Sequence, residues 1–401
     1  MKRILLLPAL LLFSGAVIFS VDFGLLADQN LEVTDEVSTY TPAFTPWFSW
    51  NGGQGTSMYV SGALTLKYYS YDGDLADNSG WVKPLLRPEL SYSAVSHRIN
   101  AQYSIEAGRI RYTDVMGFTA SGLFDGARFD AVIPLGTISA GGFYTGFLYK
   151  ETAKILMTAH DTKRYAQAWN GDFNSYGASQ RTFATARWDI PIGEANTLSA
   201  EALFQVDLNN DTDDKLNSQY GEVQMAFYPF DALGITVGAL IEAMSYRDTD
   251  PAVALGALAR AGLDVPGSLN DRLSVTMKLS SGRGDDTLTA IMPISAIPQG
   301  MVFDKTISGL ASFSLDYMVR VLDSLFIDAG LHYFMRTYDV PAEEGNIYGG
   351  EFQASLAWQP LDDIRLTLGG GVFLPDFGGG NIYPYGTRPT GKFIAGLSLS
   401  F

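Results

Sequence analysis

Side chains alternate along most of this chain. From Phe393 onward, Phe393, Ala395, Leu397, Leu399 and Phe401 fall on one face, and Lys392, Ile394, Gly396, Ser398 and Ser400 on the other. A period of two is that of an extended strand, whose successive side chains point to opposite sides. From Ile307 to Val321 the odd positions are apolar or small, while the even ones include Ser312, Ser314, Asp316 and Arg320. From Leu325 to Met335 the odd positions are again apolar, the even ones carry Asp328 and His332, and Arg336 comes next. From Tyr348 to Trp358, the even set Tyr348, Gly350, Phe352, Ala354, Leu356 and Trp358 opposes Glu351, Gln353 and Ser355. Strands of this kind separate an apolar medium from a polar one.

The connections come in two lengths. Short turns are expected near Val95–Arg98, Pro134–Gly136, Pro191–Ala195, Phe230–Ala232, Val265–Asn270, Leu322–Ser324 and Gln359–Asp362. Between them lie mostly longer polar stretches, such as Tyr71–Gly80, Thr113–Leu123, Lys150–Ser179, Gly282–Lys305 and Asp376–Thr387. The seven turns give fourteen strands, and the terminal strand with Thr56–Tyr71 makes sixteen. A further hairpin from Asp22–Val33 and Phe44–Trp50 makes eighteen, the total preferred over sixteen. The pattern predicts an all-β fold, a transmembrane antiparallel up-and-down barrel with both termini on the periplasmic, short-turn side.

The terminal strand ending on Phe401 resembles the closing strand of bacterial outer-membrane β-barrels. That resemblance implies a bacterial outer-membrane location, contact with outer-membrane lipid, and recognition of this strand by the barrel-assembly machinery. Tyr92, Trp188, Phe227, Trp358 and Phe401 each precede a short turn or the chain end on the assigned lipid face, and so predict an inner girdle of interface aromatics. Tyr348 stands ten residues from Trp358 on the same assigned face. At about 3.3 Å per residue and a tilt near 40°, that spans roughly 25 Å, the height of an outer-membrane apolar band.

In Ile99–Tyr112 the lipid-facing count would send Arg109 and Arg111 outward. A charge at mid-bilayer costs roughly 2 to 4 kcal/mol, so either a bulge at Ala107 or Gly108 turns both inward, or they already lie at the outer rim. The run Gly108-Arg109, Tyr112-Thr113-Asp114 and Gly122–Phe129 resembles the Gly-Arg-Gln and Phe-Asp-Gly-Ala-Arg hairpin of eighteen-stranded alginate-export channels. It lacks the Gln after the Arg and the Trp before the Phe-Asp-Gly. The resemblance implies that Arg109 and Arg128 line a conduit; polyuronate as cargo does not follow.

Composition narrows the options further. Lys2 and Arg3 before the apolar run Ile4–Ile18 read as an export signal cut after Ala16 or Ser20, leaving residues 21–401 as one barrel domain. There is no cysteine, hence no disulfide. A net charge of −16 makes nucleic acid an unsuitable partner. The uncharged stretch Ala131–Tyr149 holds Pro134 and several glycines, which fits two strands and a turn rather than a spanning helix.

The inward face supplies the candidate chemistry. Arg109, Arg128, Arg181, Arg187, Arg260, Asp316, Arg320, Asp328, His332, Arg336, Glu351 and Arg365 are expected to line a pore, with Arg320→Glu or Arg336→Glu shifting ion preference toward cations. The Lys150–Ser179 connection, with Lys154, His160 and Lys163, either folds into the bore or caps it from outside. Three histidines, at a turn, in a loop and in the lumen, form no catalytic constellation, so no catalytic residue is assigned. Asp207–Asp214 is dense in oxygen ligands but lacks calcium-loop spacing; it reads as a solvated loop, and no metal or cofactor is assigned. The function expected is a passive, porin-like channel for small hydrophilic solutes. A closed-lumen adhesin or antigen and a transporter of hydrophobic compounds are the alternatives. A homotrimer is left open.

Overall fold

A computed structural model describes residues 20–71, 85–165, 173–209, 214–246, 252–265, 267, 270–282, 289–338, 345–375, 377, 382 and 388–401. The export signal, the acidic loop residues Asp72, Asp74, Asp77, Asp211, Asp213, Asp285, Asp286, Glu343 and Glu344, and Trp169 lie outside these residues.

Eighteen strands run in chain order. The first nine are β1 (Ser20–Thr34), β2 (Val37–Gly53), β3 (Thr56–Tyr71), β4 (Leu85–Arg98), β5 (Tyr103–Thr113), β6 (Ser121–Ile133), β7 (Gly136–Tyr144), β8 (Arg181–Ile192) and β9 (Asn196–Asp207). The second nine are β10 (Leu216–Phe230), β11 (Leu233–Tyr246), β12 (Ala252–Val265), β13 (Asp271–Ser280), β14 (Leu310–Leu322), β15 (Leu325–Arg336), β16 (Ile347–Leu361), β17 (Ile364–Pro375) and β18 (Thr390–Ser400). Each pairs antiparallel with its chain neighbours, and β1 closes the cylinder on β18 from Leu26↔Ser400 to Thr34↔Lys392. Closure leaves no edge strand, which is what lets a sheet stand in lipid.

Both ends of the barrel strands meet at the short-turn rim, where Leu25 and Phe401 exchange backbone hydrogen bonds of 3.0 and 2.9 Å. Two turns lie further along than expected, at 99–102 and 362–363. The polar residues Ser96, His97 and Gln359 continue strands rather than ending them; His97 Nδ1 sits 2.8 Å from Thr56 Oγ1 on β3.

Exposure alternates as the sequence does, but with the apolar side outward. Leu331, Phe352, Trp358, Phe393 and Phe401 are all exposed. A soluble protein does not leave a belt of this size bare, whereas a barrel wall in lipid requires one. Trp188, Phe227, Trp358 and Phe401 occupy the outer face near the short-turn rim, and Trp188 Nε1 donates to Leu135 O at 3.3 Å.

Tyr92 and Tyr348 do not join them. In β16 the pairing slips between Phe334↔Gly349 and Met335↔Ile347, which inserts one extra residue. That bulge turns Tyr348 inward, where it is buried beside Phe303. Gly349 makes it feasible: its φ is +142°, and a Cβ there would lie 2.2 Å from Leu374 O. In β4 a similar slip opposite Val60 and Gly62 turns Tyr92 into the lumen, where its hydroxyl donates to Glu106 at 2.6 Å. Period-two counting fails at both places because a bulge adds one to the count.

Ile307 also departs from expectation. It precedes β14 and is buried inside the barrel rather than facing lipid.

Candidate functional site

The wall presents carboxylates inward, and connections from the long-loop rim fold in to meet them. Glu201 on β9 accepts the Val115 N–H at 2.9 Å and the Tyr112 hydroxyl at 2.7 Å. Glu222 on β10 accepts the Met116 N–H at 3.1 Å and the Thr119 hydroxyl at 2.7 Å. Glu242 on β11 accepts the Met292 N–H at 2.8 Å. Glu351 on β16 accepts the Met301, Val302 and Phe303 N–H groups at 2.6, 3.1 and 2.8 Å. A carboxylate accepts several donors at once, and charge-assisted bonds are the strong ones, so these acids hold irregular backbone inside the barrel.

Three connections are held in this way or by ion pairs: 114–120, 145–180 and 281–309. The second carries helices α1 (Lys150–Ala153), α2 (Ala159–Tyr165) and α3 (Phe173–Tyr176). Its Glu151 meets Arg87 at 2.6 Å and Lys67 at 3.5 Å, both on the inner wall. Tyr176 donates to Pro88 O at 2.8 Å, and burial pushes its phenol up to about 12, so it keeps the proton it donates. The connections also join each other: Leu156 N donates to Ile294 O and Ser295 N to Thr119 O, each at 3.0 Å. Of the two courses expected for Lys150–Ser179, its described residues, 150–165 and 173–179, take the inward one.

Inward apolar residues receive these connections. Leu240 is 2% exposed while its strand neighbour Ile241 is 50% exposed, so the lumen side is the covered one. Tyr112, Phe124, Phe143 and Phe183 form an inner ring cluster, with the Phe143 and Phe183 centroids 4.9 Å apart, and pack with Leu148, Ile155 and Ile294. Phe303 stacks on Phe334 at 4.1 Å with Tyr348 and Phe373 beside it.

A cavity of about 880 Å³ lies between the 298–304 tip and the wall of β1, β15, β16 and β18. The tip contributes Pro298, Gln299, Gly300, Met301, Val302 and Asp304; the wall contributes Glu32, Thr34, His332, Gln353, Lys392 and Ile394. Glu32 and Lys392 pair at 2.9 Å. Lys154, just after α1, lines this cavity and also a smaller one of about 350 Å³ on the side of β4 and β5. Its ammonium has no ion-pair partner among the described residues.

The sequence-predicted lining residues separate into groups. Arg128 pairs with Glu106 and Asp130, Arg187 with Asp189, and Asp316 with His332 at 3.0 Å; all face inward. Asp328 shares that inner face, and Arg260 and Arg365 are exposed there without an ion pair among the described residues. Arg181 and Glu351 are buried under the infolded connections. Arg320 pairs at 3.1 Å with Asp323, at a short turn.

Arg336 is buried, donating from Nε and Nη2 to Gly345 O at 3.0 and 2.6 Å. Arg336→Glu is therefore expected to disturb the β15–β16 connection without reversing ion preference, contrary to the sequence-based expectation. Reversal potentials in a salt gradient measure this.

Arg109 lines the smaller cavity beside Lys154, but not by the bulge expected. The β5–β6 pairing runs unbroken from Tyr103↔Ala131 to Thr113↔Ser121, so no bulge at Ala107 or Gly108 turns it inward. It bonds Asp125 opposite it at 2.8 and 2.7 Å, Leu90 O at 2.6 Å and Phe147 O at 3.1 Å, which neutralises the charge locally. Asp207 and Asp214, read as a solvated run, are buried. Asp207 accepts the Asn209 and Leu216 N–H groups, and Asp214 accepts the His160 N–H and the Tyr246 hydroxyl.

No protein-family model and no curated protein matches this chain. Solved structures do. Pseudomonas aeruginosa OccK5 (OpdH) aligns over 95% of this chain and 98% of its own, with a TM-score of 0.59 at 11% identity. The fold is shared. OpdK from the same organism, solved with vanillate, aligns over 95% and 98% with a TM-score of 0.58 at 11% identity. OccK2 (OpdF), solved in complex with glucuronate, aligns over 95% and 98% with a TM-score of 0.59 at 15% identity. These likenesses give the alginate-export resemblance of the β5–β6 hairpin no support.

Proposed function

We propose that this chain is an outer-membrane channel through which small hydrophilic solutes diffuse passively. One observation carries the reading: a closed eighteen-stranded wall, apolar outside, encloses a charged cavity of about 880 Å³ bounded by infolded backbone. An interior filled by side chains alone would need no such connections, and eighteen strands leave room for an aqueous path. Lys154 is positioned to meet a negatively charged group, opposite Glu32, Asp35, Glu36 and Asp304. OpdK and OccK2 hold vanillate and glucuronate, both small organic acids, within this fold. A small polar solute with an acidic group suits the passage by the same chemistry.

In this reading the rim with both barrel ends faces the periplasm, residues 1–20 are the export signal, and the strand ending at Phe401 engages the barrel-assembly machinery. Purified protein in planar bilayers should give discrete, steady conductance steps, and steps in threes would report a homotrimer. Absence of any steps would overturn the channel reading in favour of a closed surface barrel.

A further inference from the structure

We propose that Glu351 is the positioning residue that sets the width of the passage, acting through the 298–304 tip. The inference rests on the channel reading.

The tip is a tight reversal. Gln299 N donates to Lys305 O and Gly300 N to Phe303 O, each at 3.0 Å. Inside the reversal, the N–H groups of Met301, Val302 and Phe303 converge on the Glu351 carboxylate at 2.6, 3.1 and 2.8 Å. Successive N–H groups arranged this way form an anion-binding nest. Here the anion belongs to the barrel wall, and Glu351 is only 2% exposed. A neutral amide cannot replace it, because its NH₂ would face at least one of three donors that need an acceptor.

The fit is close on the tip side as well. A Cβ at Gly300 would lie 2.5 Å from Glu351 Oε2, so the carboxylate and a side chain at 300 exclude each other. Met301 and Val302, two of the three residues that grip Glu351, line the cavity together with Glu32 and Lys392. Any shift of the tip is therefore a change in bore. The wall itself does not depend on this side chain, since Glu351 pairs with His332 and Phe373 through its backbone.

Glu351→Gln and Gly300→Ala attack the clamp from its two sides. Each is expected to raise single-channel conductance about 1.5-fold or more, with added open-state noise, because an unpinned tip no longer narrows the bore. Glu351→Asp keeps the charge and should fall between Gln and wild type. The double variant should match the larger single effect, since both break one interaction. Heat-modifiable electrophoretic mobility confirms an intact barrel in each case. If Glu351→Gln does not assemble, Gly300→Ala, which lies outside the wall, decides the matter. Unchanged conductance in a folded variant, or additive effects in the double, overturns the positioning role while leaving the channel reading intact. A wild-type protein without conductance overturns the channel reading instead.

Discussion

Replacing Lys154 by glutamate is expected to shift the reversal potential in a salt gradient toward cation selectivity, with a change of about fivefold in the permeability ratio. Two unit charges 4 Å apart interact by about 4 kcal/mol at an effective dielectric of 20, and water in the bore reduces this to about 1 kcal/mol, hence the fivefold figure. The effect centres on this residue because the tip beside it, from Pro298 to Val302, is uncharged, while Lys392 is already paired with Glu32. Lys154 has φ 47° and ψ 41°, a left-handed conformation that costs a residue with a Cβ roughly 1 kcal/mol. Its carbonyl accepts the Ala296 N–H, so the neighbouring connection holds it there. Lys154→Gly tolerates that conformation and removes the charge with the rest of the side chain, so backbone strain does not enter the comparison. It should move the potential about half as far as Lys154→Glu, and Lys154→Arg hardly at all. Raising the ionic strength should shrink all three shifts together. Identical reversal potentials for wild type and Lys154→Glu would remove this residue from the selectivity argument.

The wall was legible in the sequence because lipid imposes a rule on every strand: apolar out, once every two residues. The strand from Thr56 to Tyr71 was bounded in the structure where alternation placed it, and the pair β1 and β2 settled eighteen over sixteen. The rule fails wherever the backbone adds a residue, as at Tyr92 and Tyr348. At Tyr348 the following Gly349-Gly350 was the available sign, since a glycine inside a strand pattern often marks a bulge.

The interior was far less legible, for a different reason. Inward positions of an open barrel are expected to face water, yet Phe143, Phe183 and Leu240 face other parts of the chain. Both faces of β9 are apolar at Leu203 and Phe204, and that loss of alternation is the mark of a strand covered on both sides. The long acid-bearing connections gave no hint of which carboxylates would hold them, because Glu201, Glu222, Glu242 and Glu351 find donors distant in the chain. Lys154 was visible as a cation in a long loop. That it stands in the bore follows only from how two connections cross.

The second large effect is expected at Arg181, whose side chain is fully buried at the start of β8. Its Nη2 lies 3.0 Å from Asp161 on α2, and its Nε lies 3.8 Å from Asp207 on β9. Asp161 also accepts the Thr158 N–H at 3.0 Å and Asp207 the Leu216 N–H at 3.2 Å, so this guanidinium balances two carboxylates that the connections need. Arg181→Ala strands both anions where water does not reach. Breaking a buried pair in this way costs about 3–5 kcal/mol. The loss should fall on the 145–180 connection rather than on the wall, because the Arg181↔Asp207 pairing is made by backbone. The barrel should still assemble and keep its heat-modifiable mobility, while limited proteolysis cuts within 145–180 and conductance rises. Arg181→Lys should recover only part of the protection, since a compact ammonium lacks the fork that spans two partners. Removing all three charges together, as Arg181→Met with Asp161→Asn and Asp207→Asn, should restore part of it, because the unbalanced charge is gone while one N–H held by Asp207 loses its acceptor. A proteolysis pattern for Arg181→Ala identical to that of wild type would show that the connection is held inside the barrel without Arg181, by the Glu151 ion pairs and its apolar contacts.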